Sequence, residues 1–546
     1  MILWLTGPSG GGKSTVGPLV AAQQKHRFVD LDALIERRTG LSIAEIFDRE
    51  GESKFRELET EAIKQVIAKK EAKDDLVIAT GGGSVVNPYN RDLMRSSGLR
   101  VYFNVEATTA IARLSATSGR PLLLESNPER AWKELLEERI TVYADHDIMI
   151  DAGQSPAEVT DAILAAHHRY NSPSWKINAE LRGETSRICA YRSPWSTLRA
   201  YRGATRMNRT CVITDTNLAE HYPEFLKRLA GTQGLVCALE PGEKSKSFAT
   251  VEKIVQQLSE GGFDRNSTIL GFGGGVITDL AGFVASIYMR GIHLFSMPTS
   301  LLAMVDASVG GKTAINSSTI RNLVGTFNHP ERVLICPSFL RTLPDRELRS
   351  GLVESLKMGI IRSEVLQELV DESLPDILNG RIPKVIDEII RLSVVNKLDI
   401  IGNDVQDTGE RGLLNFGHTF AHALEAAAPG VWTHGEAVAF GMIAALEAAG
   451  RTRVSPLPTS EIHVKASKIL PLTNPNGTRP SPENIVEKMR RDKKQKIGIA
   501  HFVLPTGPLI KNTGWSIGIL LAQEIIAYSI EAAWRHIDDY HGMKST

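Results

Sequence analysis

The sequence predicts two α/β units in tandem, the second ending in an all-α half, and three observations carry that expectation. At the amino terminus an apolar strand runs into a glycine-rich turn and a helix start, MILWLTGPSGGGKSTVG. From about residue 210, short apolar strands alternate with helices and end in Gly, Asp or Thr, as in TCVITDTN, GLVCALE, TILGFGGGVITDLAGFVA and HLFSMPTS. From about residue 340 the pattern is helical throughout, and one stretch, Arg411 to Met442, holds His418, His422 and His434 out of fourteen histidines in the chain. Strand–helix alternation argues for a parallel sheet covered by helices. Strand ends rich in small polar residues are where such a sheet binds ligand.

At 546 residues the chain has room for two to four units of about 150 residues each, and 42% hydrophobic residues suffice for their cores. Lys plus Arg and Asp plus Glu are equal at 63 each, so the overall charge argues for neither nucleic acid nor an anionic membrane as partner. The four cysteines, Cys189, Cys211, Cys237 and Cys336, form no CxxC. That disfavours a thiolate zinc site or a disulfide framework and fits a reducing compartment. No apolar run reaches the length of a membrane span, and the first phosphate-binding glycine at residue 7 leaves no room for a leader. A cytoplasmic location is therefore expected.

In the first unit, expected over 1–168, Gly7 to Ser14 fits GxxxxGK[ST] with a strand before it and a helix after it. Gly7, Gly10 and Gly12 allow backbone amides to close around phosphates. Lys13 offsets charge near the β/γ-phosphates, Ser14 is a magnesium ligand, and Thr15 follows in the same nucleotide-binding turn. ATP with Mg2+ is the cofactor this motif implies. Phe28-Val29-Asp30-Leu31-Asp32 reads as a strand end with both carboxylates on one side. Asp30 can hold magnesium through water and Asp32 can bond an acceptor hydroxyl, although such a pair alone is as readily a solvated turn. Arg56 follows, then LVIAT leading into Gly81, Gly82 and Gly83, where missing side chains let a ligand approach the backbone.

The set GPSGGGKSTVG, FVDLD, LSIAEIFDREGESKFRELE, ATGGG, RPLL and ERITVY resembles shikimate kinase over nearly the whole unit. The resemblance implies a P-loop kinase fold, a parallel sheet with flanking helices. It also implies that Asp32, Arg56 and Gly81 to Gly83 hold shikimate, with Arg139 as a second clamp on its carboxylate, and that Arg120 reaches the nucleotide phosphates from a lid. Lys13, Asp32 and Arg120 would be the catalytic residues. A guanidinium fork suits a carboxylate because its paired donors match two oxygens.

Residues 169–187 lose apolar periodicity and gather Ser, Pro and charge, which predicts a linker. Beyond it an α/β, Rossmann-like nucleotide-binding half is expected over 188–338 and the helical half over 339–546. GFGGGVITD is not a full GxGxxG, so by itself it is as readily a tight packing turn as a dinucleotide site. It gains weight from Asp215 and Asn217 after the first strand, where a carboxylate can take ribose hydroxyls, and from Glu243 and Lys246 in PGEKSKS. Asp306, Lys312, Arg321 and Asn322 surround a glycine pair and suit phosphate or carboxylate. His418 and His422 lie four apart and share a helix face, and the Pro429-Gly430 break would return His434 toward them. With an acid, such a set suits a divalent metal. Glu354, one turn from Lys357, is the best upstream candidate, and local HxxxH spacing favours His422 as a ligand.

From GGGVITDLAGF through VDASVGGKTAIN, GLVESLK, LLNFGHTFAHALE, HGEAVAFGM and RDKKQKIG the chain resembles 3-dehydroquinate synthase. The resemblance implies NAD, Zn2+ or Co2+, DAHP as substrate, and a homodimer through this unit. It assigns the metal to Glu354, His418 and His434 and moves His422 to the substrate phosphate. Lys312, Lys357, Lys397 and His422 would be catalytic; Asp306, Arg321, Asn322, Arg411, Asn415 and Lys493 or Lys494 would also surround the substrate. NAD contacts would come from Asp215, Asn217, Glu243, Lys246, Gly274, Gly275, Val276, Asp279, Thr299, Ser300 and Thr342. The family usually has lysine at Arg321, so the contact geometry there is open. The implied whole is a bifunctional enzyme of aromatic amino acid biosynthesis. Its rival is a P-loop kinase or nucleotide sensor fused to a metal- and NAD-dependent polyol dehydrogenase.

Overall fold

A computed structural model describes residues 2–69, 75–115, 127–181, 183–205, 209–317, 320–404, 409–452, 466–468, 479–489, 501–506 and 514–542. The chain divides into two compact units, Met1–Ser172 and Pro173–Thr546.

The first unit is an α/β sandwich. Its strands β1 (Ile2–Thr6), β2 (Arg27–Asp30), β3 (Leu76–Ala79), β4 (Gly98–Asn104) and β5 (Ile148–Asp151) pair in the order β2-β3-β1-β4-β5, and every pairing is parallel. β1, ILWLT, lies in the middle and is buried along its whole length, as a central strand covered by helices on both faces must be. The helices are α1 (Lys13–Gln24), α2 (Leu31–Thr39), α3 (Ile43–Ala68), α4 (Pro88–Ser97), α5 (Ala107–Ser115), α6 (Pro128–Tyr143) and α7 (Pro156–Asn171). One expectation needs correcting: Asp30 ends β2, but Asp32 does not continue the strand. Asp30 caps α2, accepting hydrogen bonds from the Asp32 and Ala33 amides at 3.0 and 3.2 Å, so Asp32 lies in the first helical turn. The capping preference of Asp wins over the strand period here.

The stretch 169–187 is no linker. Helix α7 runs to Asn171, and β6 (Trp175–Leu181) and β7 (Glu184–Ala190) form an antiparallel hairpin that opens the second sheet. Exposed polar side chains alternate with inward ones along it, and this alternation hid the strands among Ser, Lys and Glu. Helix α8 (Pro194–Thr205), β8 (Thr210–Asp215), α9 (Thr216–His221), α10 (Pro223–Ala230), β9 (Leu235–Leu239), α11 (Phe248–Glu260), β10 (Thr268–Gly273), α12 (Gly275–Ile287) and β11 (His293–Pro298) follow. Then come the small hairpin β12 (Lys312–Ile315) and β13 (Val324–Phe327), and β14 (Arg332–Ile335). The seven-stranded order is β6-β7-β14-β11-β10-β8-β9, parallel apart from the β6/β7 edge.

The remainder is built on α13 (Asp345–Arg362), α14 (Glu364–Leu378), α15 (Ile386–Asn403), α16 (His418–Ala427) and α17 (His434–Arg451), with two shorter-range additions. A two-stranded antiparallel ribbon, β15 (Phe502–Pro505) and β16 (Trp515–Ile519), interrupts what the sequence reads as helix only. The tail helix Gln523–Gly542 packs Trp534 against Phe440, ring centroids 4.3 Å apart. Two glycines set the approach of the helices. A Cβ on Gly435 would stand 2.2 Å from the Ser350 carbonyl oxygen, and one on Gly441 2.0 Å from that of Gly417. With hydrogens there instead, α17 lies against both α13 and the start of α16. Among the described residues no helix is long and apolar enough to cross a membrane.

Candidate active sites

In the first unit the loop between β1 and α1 carries Gly7, Gly10, Gly12, Lys13, Ser14 and Thr15. Lys13 is buried, and its Nζ donates to the Gly7 and Pro8 carbonyls at 2.7 and 2.9 Å. The Ser14 hydroxyl donates to Asp30 Oδ2 at 2.5 Å, so the two magnesium candidates are already side by side. The Trp132 indole of α6 donates to the Ser9 carbonyl at 3.0 Å and pins the loop from outside.

The acceptor side is built around Gly81, Gly82 and Gly83. A Cβ on Gly83 would fall 2.4 Å from both Arg56 Nη atoms, and one on Gly81 3.0 Å from Asp32 Oδ1. Thus Arg56, Asp32 and the glycine turn meet at one place. Arg56 is aimed by Glu59, whose Oε2 lies 2.6 Å from Nη1, while Ser84 donates to Glu59 Oε1 at 2.5 Å. Glu59 is fully buried. Tyr143 donates to the Gly82 carbonyl at 2.5 Å; burial pushes its hydroxyl up to about 12 even though Arg139 beside it pulls the other way. Arg139 therefore faces the same turn. Sequence reasoning missed Glu59, Ser84 and Tyr143. The available signal was Glu59, an acid one helical turn after Arg56 at a position otherwise fit for an apolar residue. Arg120 lies outside the described residues.

In the second unit the dinucleotide candidates gather at the carboxyl edge of neighbouring strands. Asp215 ends β8 and caps α9 through the Leu218 amide at 3.0 Å, with Asn217 in that helix. Gly274, Gly275, Val276 and Asp279 follow β10, and Thr299 and Ser300 follow β11. A Cβ on Gly273 would strike Ile277 at 2.6 Å, so that glycine serves strand–helix packing, whereas α12 begins at Gly275 with no side-chain cap. Lys246 pairs with Asp279 at 2.5 Å and also donates to Asn322. Glu243 accepts from the Asn316 amide group at 2.8 Å. Thr342 sits 3.3 Å from the Tyr222 hydroxyl, at the end of the short turn after β14.

The metal candidates converge. Each of Glu354, His418 and His434 offers one ligand atom within 4.8 Å of the others. Glu354 comes from α13, one turn after Ser350, whose hydroxyl accepts from the Gly435 amide at 2.9 Å. His418 and His434 are the first residues of α16 and α17. Both imidazole Nε2 atoms point at Glu354 Oε1, at 3.8 and 3.7 Å, and that buried oxygen accepts no hydrogen bond from the described residues. A buried carboxylate oxygen in this state is costly unless something cationic meets it. The donor set fits a divalent ion with an open position. His422 stays outside the triad, its ring 5.5 Å from that of His418 and 6.3 Å from that of His434. The local HxxxH reading is thereby corrected: the imidazoles that meet Glu354 come from the starts of two successive helices and not from two turns of one.

Cations ring this cluster. Lys357 Nζ is 2.5 Å from Glu354 Oε2 and donates to the Leu414 carbonyl. Lys397 meets Asp306 at 2.7 Å. Burial works against charge on Asp306, yet Lys397 and Lys357 outweigh it and hold the carboxyl well below the usual range; burial also pulls Lys397 below the usual lysine range, and Asp306 opposes that pull. Arg411 is buried and donates to the Gly310 carbonyl at 3.2 Å; a Cβ on Gly310 would lie 3.4 Å from that guanidinium and 3.8 Å from the Lys397 side chain. Lys312 starts β12 directly after this glycine pair, and Asn415 lies three residues before His418. Lys493 and Lys494 lie outside the described residues.

Arg321 pairs with an acid. Its Nη1 is 3.1 Å from Glu425 Oε1. Glu425, absent from the sequence reading, lies in α16 two turns after His418 and one after His422, a spacing that could have revealed it. Its Oε2 is 3.7 Å from His434 Nδ1. Burial opposes the charge on Glu425, but His434 and Arg321 prevail and its pKa is lowered. Burial likewise opposes the charge on His434, while Glu425 and Glu354 prevail and raise it. A second acid was also missed: Glu436, which with Thr433 boxes the start of α17 and takes both nitrogens of the Arg346 fork.

Family comparisons agree with this division. Residues 9–168 match shikimate kinase, 236–350 match 3-dehydroquinate synthase N-terminal, and 351–495 match 3-dehydroquinate synthase C-terminal. The chain is 34% identical over 502 residues to the bifunctional shikimate kinase/3-dehydroquinate synthase of Thermotoga maritima, covering 90% of this chain and 93% of that one. It is 41% identical over 305 residues to the 3-dehydroquinate synthase of Koribacter versatilis, covering 55% and 82%. A solved 2-epi-5-epi-valiolone synthase from Streptomyces hygroscopicus, with NAD+ and Zn2+ bound, superimposes with a TM-score of 0.57 at 26% identity, covering 66% of this chain and 99% of that one.

Proposed function

We propose that the residues placed above divide two reactions between the two units, since the chain belongs to the bifunctional shikimate kinase/3-dehydroquinate synthase family. It is an enzyme of the shikimate pathway, phosphorylating shikimate with ATP and converting DAHP to 3-dehydroquinate with loss of phosphate.

In the kinase unit the 7–15 loop and Lys13 take the nucleotide phosphates, and Ser14 with Asp30 supplies oxygen ligands for Mg2+. Arg56 and Arg139 grip the shikimate carboxylate across the Gly81–Gly83 turn, and the family resemblance gives Arg120 to the nucleotide phosphates. That grip orients the acceptor hydroxyl so that an Asp32 carboxylate oxygen takes its proton as phosphoryl transfer proceeds. Holding both partners in place supplies most of the rate, since the reaction needs little covalent help from the protein.

In the synthase unit Glu354, His418 and His434 would hold Zn2+ or Co2+, which supplies a Lewis acid for a substrate hydroxyl. NAD, which supplies hydride acceptance and return within one turnover, would be held by Asp215, Asn217, Glu243 and Lys246, the Gly274–Asp279 helix start, Thr299, Ser300 and Thr342. Lys312, Lys357, Lys397, Asn322, Arg411, Asn415 and His422, with Lys493 or Lys494, bind the carboxylate and phosphate and orient the chain for ring closure. Asp306 opposes the loss of charge that burial favours on Lys397. The observation that carries this reading is Glu354 Oε1, buried, without a hydrogen bond from any described residue, and faced by two imidazoles.

Assay of the purified chain tests it. NAD-dependent phosphate release from DAHP by protein containing about one Zn2+ or Co2+ per chain is expected, together with ADP formation that needs shikimate. NADH accumulating in proportion to product would contradict recycling. A homodimer through the synthase unit belongs to the same reading, as does a cytoplasmic location, which is supported by four buried cysteines left as free thiols.

A further inference from the structure

We propose that Glu425 and Arg321 form an outer clamp that orients His434 as a metal ligand, so that Arg321 acts as a positioning residue for the metal site. The inference rests on the synthase reading above and deepens it.

His434 lies between two carboxylates, one on each ring nitrogen: Nε2 faces Glu354 Oε1 at 3.7 Å and Nδ1 faces Glu425 Oε2 at 3.7 Å. Only Nε2 points into the cluster of ligand atoms. A carboxylate behind the other nitrogen keeps the proton on Nδ1, leaves the Nε2 lone pair for the metal and limits rotation of the ring. At 3.7 Å this contact is longer than a good hydrogen bond, so Glu425 acts on His434 through charge and placement. Its placement in turn needs support from elsewhere.

Arg321 gives that support from a different element. The Glu425 side chain is 11% exposed and that of Arg321 48%, so the buried partner has more to lose when the pair is broken. The residue after Arg321 is anchored on both its backbone and its side chain. Asn322 has φ +52°, its amide donates to Asn316 Oδ1 at 2.8 Å, and its side-chain oxygen accepts from Lys246. The charge on Arg321 is therefore directed at Glu425. The planar guanidinium fork of Arg321 has a reach and a geometry suited to a carboxylate.

The test is metal affinity of the full chain, stripped with a chelator and titrated with Co2+, read from its visible absorption and by competition with a chelating dye. Glu425→Gln should weaken Co2+ binding about 10–100-fold, the usual loss when an outer carboxylate is removed from a metal-bound histidine. Arg321→Gln should weaken it less, about 2–5-fold, because its pair is half exposed. Arg321→Lys should restore part of that loss. The double variant should match Glu425→Gln alone, since the arginine acts through the acid. NAD affinity, measured by fluorescence quenching, should be unchanged in each and certifies folding of the unit. Unchanged Co2+ affinity in Glu425→Gln overturns the clamp. So does an Arg321→Gln enzyme with raised KM for DAHP and normal metal affinity, which would return Arg321 to the substrate. Failure of the unaltered chain to bind Co2+ would overturn the synthase reading as well, and is thereby told apart.

Discussion

Around Gly83 in the kinase unit, two guanidinium nitrogens occupy the place where a Cβ would stand, 2.4 Å away; around Glu354 in the synthase unit, a lysine and two imidazoles converge on one buried carboxylate. Both sites must hold anions in a protein whose formal charges balance. The first does so with a short contiguous loop of backbone amides and glycines, adding one lysine and a few arginines. The second does so with buried charged side chains drawn from α13, α15, α16, α17 and the turns before them, already paired with one another. The difference shows where each site is vulnerable: in the first to any added atom, in the second to any lost charge.

The strongest way to break this comparison is to remove one element from each site. His418→Ala should end synthase turnover and leave kinase kcat unchanged, with metal content falling in parallel. Lys13→Ala should lower kinase kcat about 10²–10³-fold, the loss typical of one preorganised charge-stabilising group, while phosphate release from DAHP continues. Persisting NAD-dependent turnover in His418→Ala would contradict the metal assignment.

A sharper test adds an atom. Gly83→Ala should force Arg56 aside by about 1 Å, and misplacement on that scale costs about 10²-fold. The loss should appear in kcat/KM for shikimate, with KM for ATP little changed, because Gly83 lies on the acceptor side. An equal loss for both substrates would mean that the whole loop had shifted.

The two sites were legible in the sequence to different degrees, for the same reason. A loop that binds through backbone needs its glycines at fixed spacing, so Gly7 to Ser14 and Gly81 to Gly83 are readable along the chain. Side chains that meet from separate helices leave no such spacing. His418 and His422 are four apart and invite pairing, yet the third ligand atom comes from the start of the next helix because Gly435 and Gly441 allow α17 to close in. Residue by residue, family resemblance chose His434 over His422 where periodicity could not. What neither supplied were three acids: Glu59, which aims Arg56 from one turn away, Glu425, which faces His434 and Arg321, and Glu436, which pairs with Arg346 at the start of α17; the last two meet their partners only when separate segments come together. The hairpin at 175–190 was hidden for a related reason, because an edge ribbon exposes half of its side chains.

Buried charge in the kinase unit supplies the last and smallest contrast. Arg100 is 2% exposed and is held by Asp147 through Nε at 3.1 Å and by Asp145 at 2.9 Å from Nη1. Both acids precede β5, whereas the nucleotide loop follows the carboxyl end of β1, so this charge cluster serves stability and not chemistry. Burial works against the Asp145 carboxylate, but Arg100 and Arg95 outweigh it and its pKa is lowered. A carboxyl depressed on folding contributes stability that is fully present above its unfolded pKa, about 3.9, and is lost as pH falls through the folded value. Asp145→Asn should therefore destabilise the kinase unit at pH 7 by about 1.5 kcal/mol, the low end for a charged hydrogen bond, because Asp147 still holds Arg100. The deficit should shrink as pH drops below about 4, and shikimate kinase kcat and KM at 25 °C should not move. Thermal unfolding followed across that pH range checks the sign. A deficit that grows in acid, or a change in KM for shikimate, would mean that the Arg100 cluster is coupled to the acceptor site, as buried Glu59 is through Arg56.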